Sequence, residues 1–523
     1  MAVHATHQDL ARLRRRRRTA IAAVAAAAML AGATTVAAIS SKGSEEFSQG
    51  PGIKGSVEVG DFFGGALAIG DFDNDGRGDL VAGAAYENFG SRPDVGQIHV
   101  VYGTRSGLST DDDITIHQGT SKVKGKGEAD DRWGSAVAVG DFDGDGYDDA
   151  VVGAAGEDTK KHVDAGGFTV LYGSSSGLRG NGSKTLTAAS KGVRGPAEPH
   201  ANLGHALAVG DFDGDGYDDV AVGAPGAGKG TQLGAGAVHV FYGSARGIRV
   251  SDDERIHQNT AGIADAREAG DSFGAALTAG DFDRDGRDDL AVGVPGESVD
   301  GHMMAGAVHI IPGGANGLRP GASTFITQAS GDLRSQPGPD ELFGASLASG
   351  DFDGNRRADL AIGSPGETVD GRPAVGMVHV LYGKKSGLKV TGSDGFNEAS
   401  TGIDGATEAG DEFGLTLAVG DFNDNGRDDL AVGAPGEGIG EASGAGKVHV
   451  LFGGANGIRL SKHEGYRLGL GRMPGEPGAN GGFSRAIAVG DIDGDDRADM
   501  VVGAPGQTVG NDGGAGMVVL LFG

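Results

Sequence analysis

The chain has 523 residues, 38% of them hydrophobic, with 102 glycines, no cysteine and a formal charge of −28. That charge excludes nucleic acid as a partner, because phosphates require a basic surface. The glycine content excludes long helices, since each glycine in a helix interior costs about 1 kcal/mol relative to alanine, and without cysteine no disulfide can hold the fold.

The first segment reads as a signal rather than as structure. Arg12 and Arg14 to Arg18 precede a small-residue apolar run from Thr19 to Ala38, and Val36-Ala37-Ala38 suits cleavage. Residues 1–38 hold six arginines and Asp9, so losing them takes the charge from −28 to about −33. The competing reading is an uncleaved membrane anchor, for which the run is barely long enough. Consecutive arginines suit the twin-arginine route as well as the general one. The expected location is outside the cell, secreted or at its surface.

From there one unit recurs seven times, with the first aspartate of a Gly-Asp-Phe-Asp motif or its variant at Asp71, Asp141, Asp211, Asp281, Asp351, Asp421 and Asp491, always 70 residues apart. A period sustained over residues 39–523 makes the repeats one object. The fourth unit predicts strands over 275–280, 289–294, 306–311 and 324–328, separated by turn residues. The alanine- and glycine-rich first strand suits the crowded centre of a radial array. The fold class is therefore all-β, a seven-bladed β-propeller of four-stranded blades. An open solenoid would need distinct capping repeats. Unit seven stops after its third strand, whereas Glu45 to Gln49 is an orphan fourth strand at the other end. That segment is expected to complete the last blade and close the ring, with residues 39–42 contributing little.

Each unit opens with Phe-Gly or a relative, from Phe63-Gly64 and Trp133-Gly134 to Phe483-Ser484, and carries Gly-Ala-Pro or a relative, as at Gly223-Ala224-Pro225 and Gly433-Ala434-Pro435. This pattern resembles the FG-GAP repeat family, the propeller head of integrin α-subunits and its bacterial relatives. The resemblance implies calcium in the hairpin between the first two strands of a blade, and partner binding on the opposite face.

The residues of the hairpins lead to the same expectation for the metal. In unit two, Asp141, Asp143, Asp145 and Asp149 stand at positions 1, 3, 5 and 9, the carbonyl of Tyr147 adds a ligand and Gly146 permits the bend. Calcium takes six to eight hard oxygens in flexible geometry, whereas magnesium keeps more water. Position 12 is apolar (Val152), so this is no EF-hand. Three further loops are complete: Asp71, Asp73, Asp75 and Asp79 with Arg77; Asp211, Asp213, Asp215 and Asp219 with Tyr217; Asp281, Asp283, Asp285 and Asp289 with Arg287. Unit six substitutes amides, giving Asp421, Asn423, Asn425 and Asp429 with Arg427. Units five (Asp351, Asp353, Asn355, Asp359) and seven (Asp491, Asp493, Asp495, Asp499) replace the bend glycine with Arg356 and Asp496. The expectation is four to seven Ca2+ sites.

Other signals are set aside. Gly223 to Gln232 copies a phosphate loop, but a strand rather than a helix is expected after it. Arg77-Gly78-Asp79 spells an attachment tripeptide whose aspartate is a ninth-position ligand, and Gly173 to Gly177 imitates a nucleophile elbow inside a repeated turn. His99, His239, His309, His379 and His449 recur at one blade position and are read as packing; His162, His200, His205, His302 and His463 do not recur. The expected function is a monomeric, non-enzymatic extracellular module for adhesion to or recognition of a protein or glycan. No nucleotide is expected, and no membrane contact beyond the possible anchor. Loops 265–271 and 297–305, acidic and exposed, are the expected contact surfaces. The alternatives are a phospholipase-like hydrolase, for which some relatives use a separate domain, and a purely structural surface protein.

Overall fold

Short runs of valine, leucine, isoleucine and alanine between Gly- and Asp-rich turns pair with their neighbours in sequence, apart from one strand at each end of the chain, and they build seven antiparallel four-stranded sheets. The computed structural model describes residues 39–523 apart from Pro51 and Asp332. The proposed signal, residues 1–38, lies outside the described residues. In the fourth blade the strands are Ala276–Gly280, Asp289–Val294, Ala307–Ile311 and Thr324–Ile326, in that order from centre to rim. The first strands of successive blades, from Leu67–Gly70 to Ala486–Gly490, face one another around the ring, and the last faces the first. Glycine is needed where they meet: a Cβ on Gly70 would lie 2.3 Å from Val139 Cγ1.

The two recurring motifs hold the blades together. A Cβ on Gly83, from the second strand of blade one, would stand 2.1 Å from the carbonyl oxygen of Gly134, the Phe-Gly glycine of blade two. The same 2.1 Å approach of Gly503 to Gly64 joins blade seven to blade one. Gly64 adopts φ +81°, open to glycine at little cost. Ser484 keeps that φ, and its hydroxyl donates to the Lys447 carbonyl at 2.7 Å. The first residue of each motif, aromatic as in Phe63, Trp133 and Phe273 except for Leu203, is buried. Seven apolar layers result, each shared between two adjacent blades.

The ring closes as the orphan strand predicts, with a longer reach. Ser40–Phe47 pairs antiparallel with Met517–Phe522, Glu45 opposite Leu520 and Phe47 opposite Val518. The expectation that 39–42 is dispensable fails. Ile39 is buried in the layer between blades six and seven, and the Tyr466 hydroxyl donates to its carbonyl at 2.7 Å.

Candidate metal centre

In every blade the first strand ends and the second begins on either side of a nine-residue aspartate hairpin. Aspartate is suited to such turns because its carboxylate accepts N–H groups from residues just ahead. Asp71 accepts from Asp75 (2.9 Å) and Gly76 (2.9 Å), Asp73 from Asp75 (3.2 Å), and Asp75 from Arg77 (3.1 Å). Asp141 and Asp281 repeat the pattern. The ninth aspartate ties the hairpin to the blade. Asp79 accepts the Phe72 N–H (3.0 Å) on one oxygen and the Gly103 N–H (2.9 Å), at the end of strand three, on the other.

This folding brings carboxylate oxygens within 4.8 Å of one another in Asp71/Asp73/Asp79, Asp141/Asp143/Asp149, Asp211/Asp213/Asp219, Asp281/Asp283/Asp285 and Asp351/Asp353/Asp359. The fifth-position group joins the trio in blade four. Asp285 there accepts the Arg287 N–H (3.0 Å), and in blade three Asp215 likewise accepts the Tyr217 N–H (3.1 Å) and stands 4.0 Å from Arg249. In blade one Asp75 forms an ion pair with the Arg77 side chain. Blade five assembles its trio although the bend glycine is missing. Arg356 holds φ +68°, donates its N–H to Asp351 at 2.6 Å and leaves its side chain exposed. Asp496 does likewise in blade seven, at φ +70° and 2.9 Å from Asp491, beside Asp493 and the buried Asp499. In blade six the amides close on themselves, Asn425 donating to Asn423 and Asn423 to Asp429, with Arg427 at 3.4 Å from Asn425.

Burial, opposed by the two backbone hydrogen bonds and reinforced by the neighbouring aspartates, pushes the ninth-position carboxyls up: Asp79 to about 7, Asp149 to about 8 and Asp219 to about 9. A cluster so reluctant to ionise calls for a proton or a cation. Its donors are hard oxygens throughout, with no imidazole or thiolate, which is the ligand class calcium requires.

The eighth position was missed in the sequence. Asp148 accepts the Asp71 N–H from the preceding blade (2.9 Å), and Asp218, Asp288 and Asp428 repeat the tie at 2.9, 3.0 and 2.7 Å. The Asp-Asp doublet was the available signal. Where the doublet is lost, at Gly78, Ala358 and Ala498, only a backbone bond can remain, as from Gly78 N–H to the Asp491 carbonyl.

The FG-GAP repeat matches residues 63–101, 133–171, 203–241, 273–311, 343–381, 413–451 and 483–521, the span from the opening motif residue to the third strand in every blade. The chain belongs to the FG-GAP repeat family. Among curated proteins it is 35% identical over 167 residues to phosphatidylinositol-glycan-specific phospholipase D of Rattus norvegicus, covering 32% of this chain and 19% of that one. It is 33% identical over 249 residues to integrin alpha pat-2 of Caenorhabditis briggsae (45% and 18%). It is 28% identical over 429 residues to the Homo sapiens phospholipase D of the same name (79% and 47%). The chain therefore spans less than half the length of these relatives.

The remaining residues of this FG-GAP propeller fall into place around that frame. The recurring histidines are buried, and four of them pack against motif phenylalanines, Phe63 to His99 at 5.2 Å and Phe343 to His379 at 5.4 Å between ring centres, whereas His239, in the blade with Leu203, stacks on Phe241 at 6.2 Å. The phosphate-loop lookalike runs into a 3-10 turn, Gly230–Gln232, and then a strand. Ser174 donates to the Gly177 carbonyl (2.8 Å) inside its turn. At the end of the sheets away from the hairpins, at four blade boundaries, a glutamine after the fourth strand donates to a buried or half-buried glutamate of the next blade. The pairs are Gln49–Glu87 (2.9 Å), Gln118–Glu157 (2.6 Å), Gln258–Glu297 (2.7 Å) and Gln328–Glu367 (2.8 Å). Glu297, expected at the surface, is thus interior; Asp265, Glu268 and Asp300 are exposed.

Proposed function

We propose that the protein is an exported, calcium-stabilised propeller that binds a protein or glycan outside the cell through the face opposite its aspartate hairpins. One observation carries the reading. Among the described residues the exposed large hydrophobics are Val59, Phe62, Tyr86, Val163, Leu233, Met303, Met304 and Leu470, and all eight lie in loops joining strand two to three or strand four to the next blade. In an antiparallel blade both loops leave the end away from the hairpins. Apolar groups gathered at one end of a soluble domain mark an interaction surface. Phe62 packs against Tyr86 (5.2 Å), and the Arg132 guanidinium lies 5.8 Å over the Tyr86 ring. Aromatic and arginine side chains of this kind dominate binding energy at interfaces.

Calcium, when bound, would neutralise the hairpins and stiffen the end of each blade. Positions 1, 3, 5 and 9 and the carbonyl at position 7 would hold it. Among the described residues no helix is long and apolar enough to cross a membrane. The two relatives' names suggest surface recognition and lipid-anchor hydrolysis; we assign this chain the former and expect a broad hydrolase screen to stay at background.

The test uses purified protein against glycan arrays and extracellular protein fractions. Val163→Ser, Leu233→Ser and Met303→Ser together should abolish saturable binding and leave melting nearly unchanged, as a single surface change typically alters stability by under about 0.5 kcal/mol. Asp143→Ala with Asp145→Ala should lower melting instead. Binding that survives the apolar triple variant but follows the hairpin pair in folded protein would reverse the faces.

A further inference from the structure

Three blade boundaries lack the glutamine–glutamate pair: two change both positions, to Ala188 with Ala227 and to Leu468 with Gln507, and the third keeps the glutamate alone. Between blades five and six the glutamine after the fourth strand is replaced by Glu398, which has no N–H to give. Glu437, the equivalent of Glu297 and Glu367, keeps its place, 8% exposed, but its Oε2 has no hydrogen-bond donor. Asp411 is also buried and lies against Glu398, and burial with the neighbouring carboxyls pushes it to about 7 and Glu437 to about 8. Three carboxyls thus meet where four other boundaries pair the glutamate with an amide.

Two imidazoles complete the group. His449 Nε2 is 2.9 Å from Glu398 Oε1, and its Nδ1 is 2.8 Å from Nε2 of the non-recurring His463. His463 Nδ1 in turn faces the Asp404 N–H at 3.3 Å and the Asp404 carboxylate at 4.0 Å. Lys447 brings positive charge, but its ammonium donates to the Asp404 carbonyl. No such chain backs the other recurring histidines, and at His309 neither ring nitrogen has a partner.

We propose that Glu398, Asp411, Glu437 and His449 form a site for one divalent transition metal of the zinc class, separate from the hairpins. Carboxylates with an imidazole suit such an ion better than calcium, which prefers oxygen alone. His463 is the positioning residue: metal-bound histidines hand their second N–H to a fixed partner. With the ion on Nε2, the His449 proton resides on Nδ1 and points to His463 Nε2, so His463 carries its own proton on Nδ1 and gives up the bond that Nδ1 accepts from the Asp404 N–H. The ion supplies the positive charge that Glu437 Oε2 lacks.

The experiment is zinc titration by calorimetry and by metal analysis after dialysis, with calcium saturating throughout. The wild-type protein should hold one more zinc than Glu398→Gln, which writes in the residue used at Gln258 and Gln328 and should melt no lower. Glu437→Gln, a second and independent variant, should lose the same equivalent. His463→Ala should weaken zinc binding by about 10–100-fold, as loss of a supporting partner does. Equal zinc binding by the wild-type protein and both glutamine variants would overturn the proposal. So would a wild-type protein that binds no zinc and gains stability only as pH falls, because the carboxyls would then be sharing protons.

Discussion

Glu367 shows how one buried side chain makes the fold sensitive to pH. It is 7% exposed, takes a hydrogen bond from Gln328 and is pushed up to about 8, by burial first and by Glu341 second. In the unfolded chain a glutamate titrates near 4.3. Between those values the native state holds a proton that the unfolded state does not, so this group's stabilisation is complete below about 4 and is lost as pH rises through about 8. Glu367→Gln should flatten the fall in melting temperature between pH 5 and pH 8.5; a slope equal to wild type would show that Glu367 is ionised throughout. Residues of this kind were only partly legible. The hairpin aspartates repeat in a loop whose spacing has a chemical meaning, so they could be assigned. Glu297 and Glu367 are equally periodic, but their burial depends on a glutamine of the neighbouring blade, 39 residues away. Nothing local in the sequence distinguishes them from surface acids.

The clasp strand shows the same division among elements. Its existence was legible because unit seven lacks a fourth strand and an unpaired segment stands at the other end. Strand positions inside the blades were legible too, within a residue or two in the fourth unit, because alternation and turn residues are local. The start of the clasp was not, since its anchor is a core contact between Ile39 and Tyr466, 427 residues apart. Deleting 39–50 should expose the Met517–Phe522 edge, cause aggregation and lower melting sharply. Ile39→Ala alone should cost about 2–5 kcal/mol, typical of truncating a buried aliphatic side chain. A Ser41→Ala control should melt as wild type. If Ile39→Ala also melts as wild type, the layer between blades six and seven does not include the N-terminal segment.

At the scale of the whole ring, the two ends of the propeller have divided labour. One end gathers like-charged carboxylates in seven hairpins, and the other gathers the exposed apolar side chains. Without cysteine, the ring depends on the clasp, the interlocked glycines and whatever neutralises the hairpins. A ligand that binds only the native state adds RT ln(1 + [L]/Kd), about 1–3 kcal/mol per site when calcium exceeds Kd by about 10–100-fold. Several such sites act together on one cooperative structure. The most direct measurement is melting of the purified protein across a calcium titration at fixed ionic strength, paired with the calcium content after dialysis. Four to seven bound calcium ions and a melting temperature that climbs steeply with calcium, and collapses on chelation, are the predicted result. Melting that is indifferent to calcium and chelator, with no calcium retained, would contradict it.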